Sequence, residues 1–151
     1  MYQAEIRKAT LSDVPEIQNI VQDAYAPYTE RIGRKPAPMT DDYAKLIEDG
    51  TAWVLAAGGS VVGLIVLLIE TDHVLVNNVA VAKTYQGHGF GRKLLDYADV
   101  YARENGLSEL RLYTNELMHE NLVIYPKLGW QEYNRAEQDG FRRVFMRKAL
   151  C

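Results

Sequence analysis

The stretch Val79-Ala80-Val81-Ala82-Lys83-Thr84-Tyr85-Gln86-Gly87-His88-Gly89-Phe90-Gly91-Arg92 passes from an apolar segment through closely spaced glycines into a helical pattern. Beyond it, Leu94, Leu95, Ala98, Tyr101 and Ala102 mark one face of a helix that stops at Asn105-Gly106. The order is strand, glycine loop, helix. Glycine lets successive backbone N–H groups turn inward as a nest, and a helix N-terminus adds unpaired donors and partial positive charge, so this loop suits a phosphate or pyrophosphate. A ligand-free glycine turn has the same local composition. Gly-Lys-Ser/Thr is absent, and after Gly87 and Gly89 the third dinucleotide glycine would fall on Arg92, so ATP-type and NAD-type loops are excluded.

A second segment, Asn115-Glu116-Leu117-Met118-His119-Glu120-Asn121-Leu122-Val123-Ile124-Tyr125-Pro126-Lys127-Leu128-Gly129-Trp130, places Asn121 and Tyr125 four residues apart. On a helix they share a face. Taken alone, they also read as a solvated amide beside an amphipathic tyrosine packed on the core.

Outward from these segments, Gln3 to Arg7 alternates as a short strand. Asp13 caps a helix with Glu16 completing a capping box, Pro15 in the first turn and Val14, Ile17, Val21, Ala24 and Tyr25 at helical spacing; its end is expected near Ala26-Pro27. Tyr28 to Met39 reads as an irregular loop, at least in its second half. Thr40 then caps a short helix from about Asp41 to Glu48 that ends at Gly50. Ala52 to Ala57, Val61 to Glu70 and His73 to Ala82 are strand-like, and the Gly58-Gly59 and Thr71-Asp72 connections favour an antiparallel meander. Glu109 to Thr114 is a further strand, followed by a helix from about Glu116 to Leu128 capped by Asn115 or Thr114. Trp130 to Asn134 and Phe141 to Lys148 close the chain as strands around Asp139-Gly140. The class is α+β, with about four helices laid on a mixed, mostly antiparallel central sheet of about seven strands, in a single domain over 1–151.

Composition bounds the function. The chain has 151 residues, 48% of them hydrophobic, and 17 Lys+Arg against 20 Asp+Glu leave a net charge of -3. That length buries a core without disulfide or metal. The mixed charge gives no basic footprint for nucleic acid. The one cysteine, Cys151, has no partner in the chain, which fits a reducing compartment. Met1 to Lys8 carries charges rather than a signal-length apolar run, and Val61 to Ile69 is far shorter than the ~20 residues of a membrane-spanning helix. A cytoplasmic protein off the membrane is expected. His88 and His119 lack metal-ligand spacing with another His or Cys, so no metal is expected.

Together, Gln86-Gly87-His88-Gly89-Phe90-Gly91, preceded by Val79-Ala80-Val81, and Asn121-x-x-x-Tyr125-x-x-x-Gly129-Trp130 resemble the two signature motifs of the GNAT superfamily of N-acetyltransferases. Order and spacing agree across about Ala52 to Lys148. The resemblance implies acetyl-CoA bound where two neighbouring parallel strands, ending near Ala82 and Thr114, splay apart. It implies that Val79, Ala80 and Val81 bind the pantetheine arm through their main chain. The N–H groups of Gln86, Gly87, His88, Gly89, Phe90 and Gly91, with Arg92, would hold the pyrophosphate. Asn115 and Asn121 are placed on the cofactor, Asn121 at the pantetheine arm, and Tyr125 beside the sulfur.

The chemistry this implies is transfer of acetyl to a primary amine of a small molecule or peptide by direct attack in a ternary complex. A lysine-like amine with pKa ~10.4 is about one part in a thousand neutral near pH 7, and only that form attacks a thioester. A strand-end N–H, that of Val79, meets the developing oxyanion. Tyr125, with a reference pKa of about 10, is the general acid for the leaving thiolate, whose thiol titrates at about 8.5. Glu70, His73 and Asn78 are the candidates for handling the amine proton; Glu70 and His73 titrate but flank a turn, while Asn78 can only hold a water or the substrate.

Tyr25, Tyr28, Glu30, Arg31, Arg34 and Lys35 fall where the superfamily builds its acceptor wall, and Tyr28, Arg31 and Arg34 are the substrate-binding candidates, since guanidinium forks clamp carboxylate or phosphate. A non-catalytic acyl-CoA sensor keeps the cofactor cleft without acceptor chemistry; a protein-interaction module would instead use exposed strand edges. Trp130, Tyr133, Phe141 and Phe145 in the last hairpin offer an apolar face for a homodimer, or else face the protein's own core.

Overall fold

Residues 4–150 are described by the computed structural model; Gln3 and Cys151 lie outside the described residues. The alternating first segment forms β1 (Ala4–Lys8), followed by a 3-10 turn and α1 (Val14–Ile32). A second 3-10 turn, Ala37–Thr40, leads to the short α2 (Tyr43–Glu48). The meander follows as β2 (Ala52–Ala57), β3 (Ser60–Ile69) and β4 (Val74–Val81). Then come α3 (Phe90–Glu104), β5 (Glu109–Asn115), α4 (His119–Lys127), β6 (Gln131–Gln138) and β7 (Phe141–Ala149). The seven strands form one sheet in the order β1-β2-β3-β4-β5-β7-β6. All pairings with a defined register are antiparallel except β4 with β5, which run parallel through Val74↔Leu110, Leu75↔Arg111 and Val76↔Leu112.

Strand β4 is irregular. The Glu70 N–H donates to the His73 carbonyl, and the Ala82 N–H donates to the Val62 carbonyl. From the first pair to the second, the β3 side advances eight positions (70 to 62) and the β4 side nine (73 to 82), so β4 carries one extra residue, as in a bulge.

The chain groups into two compact units, one of residues up to 67 with 78–97, the other of 68–77 with 98 onward. In the first, Ile17, Ile20 and Val21 of α1, Val54 and Leu55 of β2, Leu64 to Val66 of β3 and Leu94 of α3 are buried. Gly63 lets α3 approach, because a Cβ there would stand 3.1 Å from Leu94 Cδ1. In the second, β5 buries Leu110, Leu112 and Thr114 on one face, and β7 buries Val144 and Met146 beside them. Strand β6 pairs with β7 on one side and is exposed along its whole length, as an edge strand. Among the described residues no helix is long and apolar enough to cross a membrane.

Four expectations are corrected. Helix α1 continues past Pro27 to Ile32 and ends at Gly33 in the left-handed conformation, φ 89°, so Tyr28 and Arg31 are helical rather than loop residues. The proline removes one backbone donor, but the five helical residues after it, Tyr28 to Ile32, still complete a turn, whose close is the Gly33 N–H on the Thr29 carbonyl. At the other end, Asp13 does not pair with Glu16: its carboxylate takes both Arg7 Nη groups, at 2.8 and 3.0 Å, and the Thr10 N–H, while Glu16 Oε2 accepts the Val61 N–H. Helix α2 is capped by Asp42, whose Oδ1 accepts from the Lys45 N–H, and Thr40 belongs to the preceding 3-10 turn. Helix α4 starts only at His119, because Asn115 Oδ1 accepts from Leu117 N–H in a local turn that delays it.

Candidate active site

The end of β4 and the start of α3 build the glycine loop. Gly87 and Gly89 have φ of +86° and +80°, and a Cβ on either would meet nothing within 4 Å. Backbone conformation, not crowding, is what demands glycine there. Gln86 to Gly89 are exposed, whereas Phe90 is buried against the rings of Tyr85 and His88 and pins the first turn of α3. Phe90 therefore has only backbone to offer a ligand. Gly91 and the exposed Arg92 follow in that turn, whose leading N–H groups lack intrahelical partners. The Gln86 side chain turns back to donate to the Val81 carbonyl at 3.1 Å, holding the loop to the strand it leaves.

Asn78 departs from expectation. It is 4% exposed, its Oδ1 accepts from Tyr25 OH at 2.7 Å, and its Nδ2 donates to Tyr43 OH at 2.9 Å. An amide bonded at both ends inside the protein is not placed to hold a water or a substrate. Tyr25 OH also lies 3.3 Å from the Val79 carbonyl. Burial, and then the charge of Asp41, hold the Tyr43 phenol protonated well above the usual tyrosine range. Glu70 is exposed in the turn ahead of β4, where its N–H donates to the His73 carbonyl. His73 Nδ1 is 2.7 Å from Asp72 Oδ1, an interaction that holds the Asp72 carboxyl below its ordinary value.

In the second unit, Asn121 donates through Nδ2 to Thr114 Oγ1 at 3.0 Å, which orients the amide on α4. Thr114 went unnoticed as a site residue, although it is the polar member of the otherwise apolar buried alternation Leu110, Leu112, Thr114. One turn on from Asn121, Tyr125 is half-buried and packs edge-on against the buried Trp130, with ring centroids 5.9 Å apart. Asn115 keeps its side-chain oxygen on its own backbone, as described above.

Of the acceptor residues, Arg31 lies over the Tyr28 ring at 5.0 Å on the last turns of α1, and Arg34 is exposed just past Gly33. The last hairpin does not present four aromatics outward. Trp130 and Phe141 are buried and Phe145 is partly covered, leaving Tyr133, 41% exposed, between the Arg111 and Arg147 guanidiniums. Sequence reasoning also missed Arg143, buried at 8% exposure with its guanidinium 4.2 Å over the Tyr113 ring and bonded to Gln138.

Comparison with known proteins agrees with these features. Mouse (Mus musculus) N-alpha-acetyltransferase 80 is 37% identical over 65 residues, covering 43% of this chain and 19% of that protein. Rat (Rattus norvegicus) N-acetyltransferase family 8 member 3 is 29% identical over 86 residues, covering 53% of this chain and 38% of that protein. This chain spans under half the length of the curated relatives it matches. In structure it is similar to the PaiA N-acetyltransferase of Thermoplasma acidophilum in complex with coenzyme A, with TM-score 0.81, 18% identity and coverage of 97% of this chain and 99% of that one. The ribosomal-protein-S18-alanine N-acetyltransferase of Escherichia coli gives TM-score 0.76 at 20% identity, covering 98% and 94%. At these identities the likeness is one of fold. Residues 15–130 match the family model described as "Acetyltransferase (GNAT) family", and the chain belongs to that family.

Proposed function

We propose that the protein is an acetyl-CoA-dependent N-acetyltransferase acting on a primary amine of a small molecule or peptide. The observation that carries this is the exposed Gln86 to Gly89 loop, with left-handed Gly87 and Gly89 leading into the N-terminus of α3. That backbone fits a pyrophosphate. Acetyl-CoA, when bound, supplies the activated acetyl group and a thiolate leaving group.

The rest is the chain's own work. The N–H groups of Gln86 to Gly91, with Arg92, hold the diphosphate, and the backbone of Val79 to Val81 aligns the pantetheine arm. Because Nδ2 of Asn121 is committed to Thr114, its Oδ1 is the atom left to accept an amide N–H of that arm. The Val79 N–H meets negative charge developing on the carbonyl oxygen. The amine nitrogen forms its bond to the acetyl carbon as the carbon–sulfur bond breaks; the sulfur takes the Tyr125 hydroxyl proton, the proton shed by the amine leaves through water, and water returns a proton to the Tyr125 oxygen. Asn78, bonded to Tyr25 and Tyr43, takes no part in proton transfer. Tyr28, Arg31 and Arg34 face the acceptor side and select among amines. A cytoplasmic setting, where acetyl-CoA is made and used, accords with this reaction.

The test is thiol release from acetyl-CoA, followed colorimetrically with amino acids, polyamines, aminoglycosides and peptides. Release with one class is expected and names the acceptor. Tight acetyl-CoA binding by calorimetry without release from any acceptor replaces the enzyme with an acyl-CoA sensor. Absence of both binding and release from folded protein overturns the reading entirely.

A further inference from the structure

Asn78 joins three separate stretches of chain through one carboxamide. Its oxygen takes the Tyr25 hydroxyl of α1, and its amide nitrogen donates to the Tyr43 hydroxyl of α2. The Tyr43 hydroxyl in turn donates to the carbonyl of Pro38, at the head of the 3-10 turn between those helices. The backbone from Tyr25 to Tyr43 is therefore tied down at both ends, and once in between, by a chain of hydrogen bonds anchored on one strand residue. That backbone carries Tyr28, Arg31 and Arg34. It also borders a cavity of about 310 Å³ whose walls include Gln18, Gln22, Met39, Asp41 and Tyr43. Such a volume is at the lower end of small-molecule sites.

The donor and acceptor directions single out asparagine. Tyr25 needs an acceptor, and Tyr43, already donating to Pro38, needs a donor; a carboxamide offers both on one rigid plane. Aspartate would present two acceptors and force Tyr43 to choose between it and Pro38. An apolar residue would remove both bonds at once. The neighbouring Val79 carbonyl, 3.3 Å from Tyr25 OH, links the same cluster to the strand end that carries the proposed acetyl site.

We propose that Tyr25, Asn78 and Tyr43 form a clamp that positions residues 26–42 for acceptor recognition, Asn78 being a positioning residue rather than a catalytic one. The kinetic part of this rests on the acetyltransferase reading, while the structural part stands without it. Tyr25→Phe and Tyr43→Phe keep ring and packing and delete one hydroxyl each. Hydrogen exchange followed by mass spectrometry is expected to rise about tenfold in peptides spanning residues 26–42, and not in α3 or β5, as loss of one buried hydrogen bond implies. The acceptor KM rises by a similar factor while the acetyl-CoA KM stays within twofold. The double variant is expected to match the worse single rather than the product of the two, because either loss frees the same segment.

Unchanged exchange in residues 26–42 overturns the clamp. An acetyl-CoA KM that rises along with the acceptor KM overturns its assignment to the acceptor side. If no amine is acetylated, the exchange result still decides the clamp, and the failure falls on the enzymatic reading alone. Asn78→Asp is a second probe: it keeps the Tyr25 bond and should loosen only the Tyr43 and Pro38 end.

Discussion

Asn121 Nδ2 donates to Thr114 Oγ1 at 3.0 Å, a bond from α4 to β5 that fixes which end of the Asn121 amide faces outward. Thr114 is 6% exposed, so the bond is shielded from water. Asn121→Ala is expected to raise the acetyl-CoA KM about tenfold, the value of one hydrogen bond of ~1.4 kcal/mol, with the acceptor KM unchanged. Thr114→Val keeps the shape and removes the acceptor, so it should give a smaller rise in the same constant. Initial-rate kinetics with each substrate varied in turn checks both, and an effect confined to the acceptor would refute the assignment.

Gly87 and Gly89 make a sharper test because each has room for a methyl group but not the backbone angle. An L-residue in the left-handed region costs about 1–2 kcal/mol, and Asn less than Ala. Gly87→Ala should weaken acetyl-CoA binding several-fold by calorimetry, Gly87→Asn should weaken it less, and Gly89 should behave alike. Equal losses for Ala and Asn would mean that side-chain bulk against the ligand matters, rather than φ.

The Arg7–Asp13 pair predicts an acid response. Hydrogen bonds from Arg7, then from the Thr10 N–H and hydroxyl, lower the Asp13 pKa to about 2 against the opposing effect of its burial. A carboxylate with a depressed folded-state pKa adds stability that is full above the unfolded pKa of about 3.9 and is lost as pH falls through the folded value. The stability gap between wild type and Asp13→Asn, from urea melts, should be constant above about pH 5, narrow below pH 4 and plateau once pH drops under about 2. A gap that does not change with pH would show that the pair is not what Asp13 contributes.

Periodicity exposed the strands, and the glycine spacing exposed the loop, because both are local patterns. Strand β2 falls on Ala52–Ala57 as expected, β4 lies within one residue of its expected bounds, and α3 stops just before Asn105-Gly106. Pro27 misled because a proline stop is a local cost that later turns can override; here Gly33 supplies the actual end. Asn78 misled for a different reason. A strand amide looks the same whether it meets substrate or protein, and its partners Tyr25 and Tyr43 lie 53 and 35 residues away in sequence. Arg143 was invisible likewise, since its guanidinium lies over the rings of Tyr113 on β5 and Phe141 on its own strand, contacts no local pattern announces.

Tyr125 carries the remaining prediction. Its ring rests edge-on against Trp130, at 70° and 5.9 Å, a contact that Tyr125→Phe keeps. If the hydroxyl delivers a proton to the departing sulfur, kcat should fall by about 10²–10⁴, the usual worth of general acid catalysis, while the acetyl-CoA KM stays put. The pH profile separates this from mere positioning. For an acceptor with pKa near ~10.4, kcat/KM of the wild type should climb about tenfold per pH unit as the neutral amine accumulates, then bend over once the Tyr125 phenol loses its proton. In Tyr125→Phe the climb should persist up to the acceptor's own pKa, with the phenol's bend gone. A Phe variant with full kcat would remove Tyr125 as the acid and leave the thiolate to depart unprotonated, which a thiol pKa of about 8.5 makes chemically feasible.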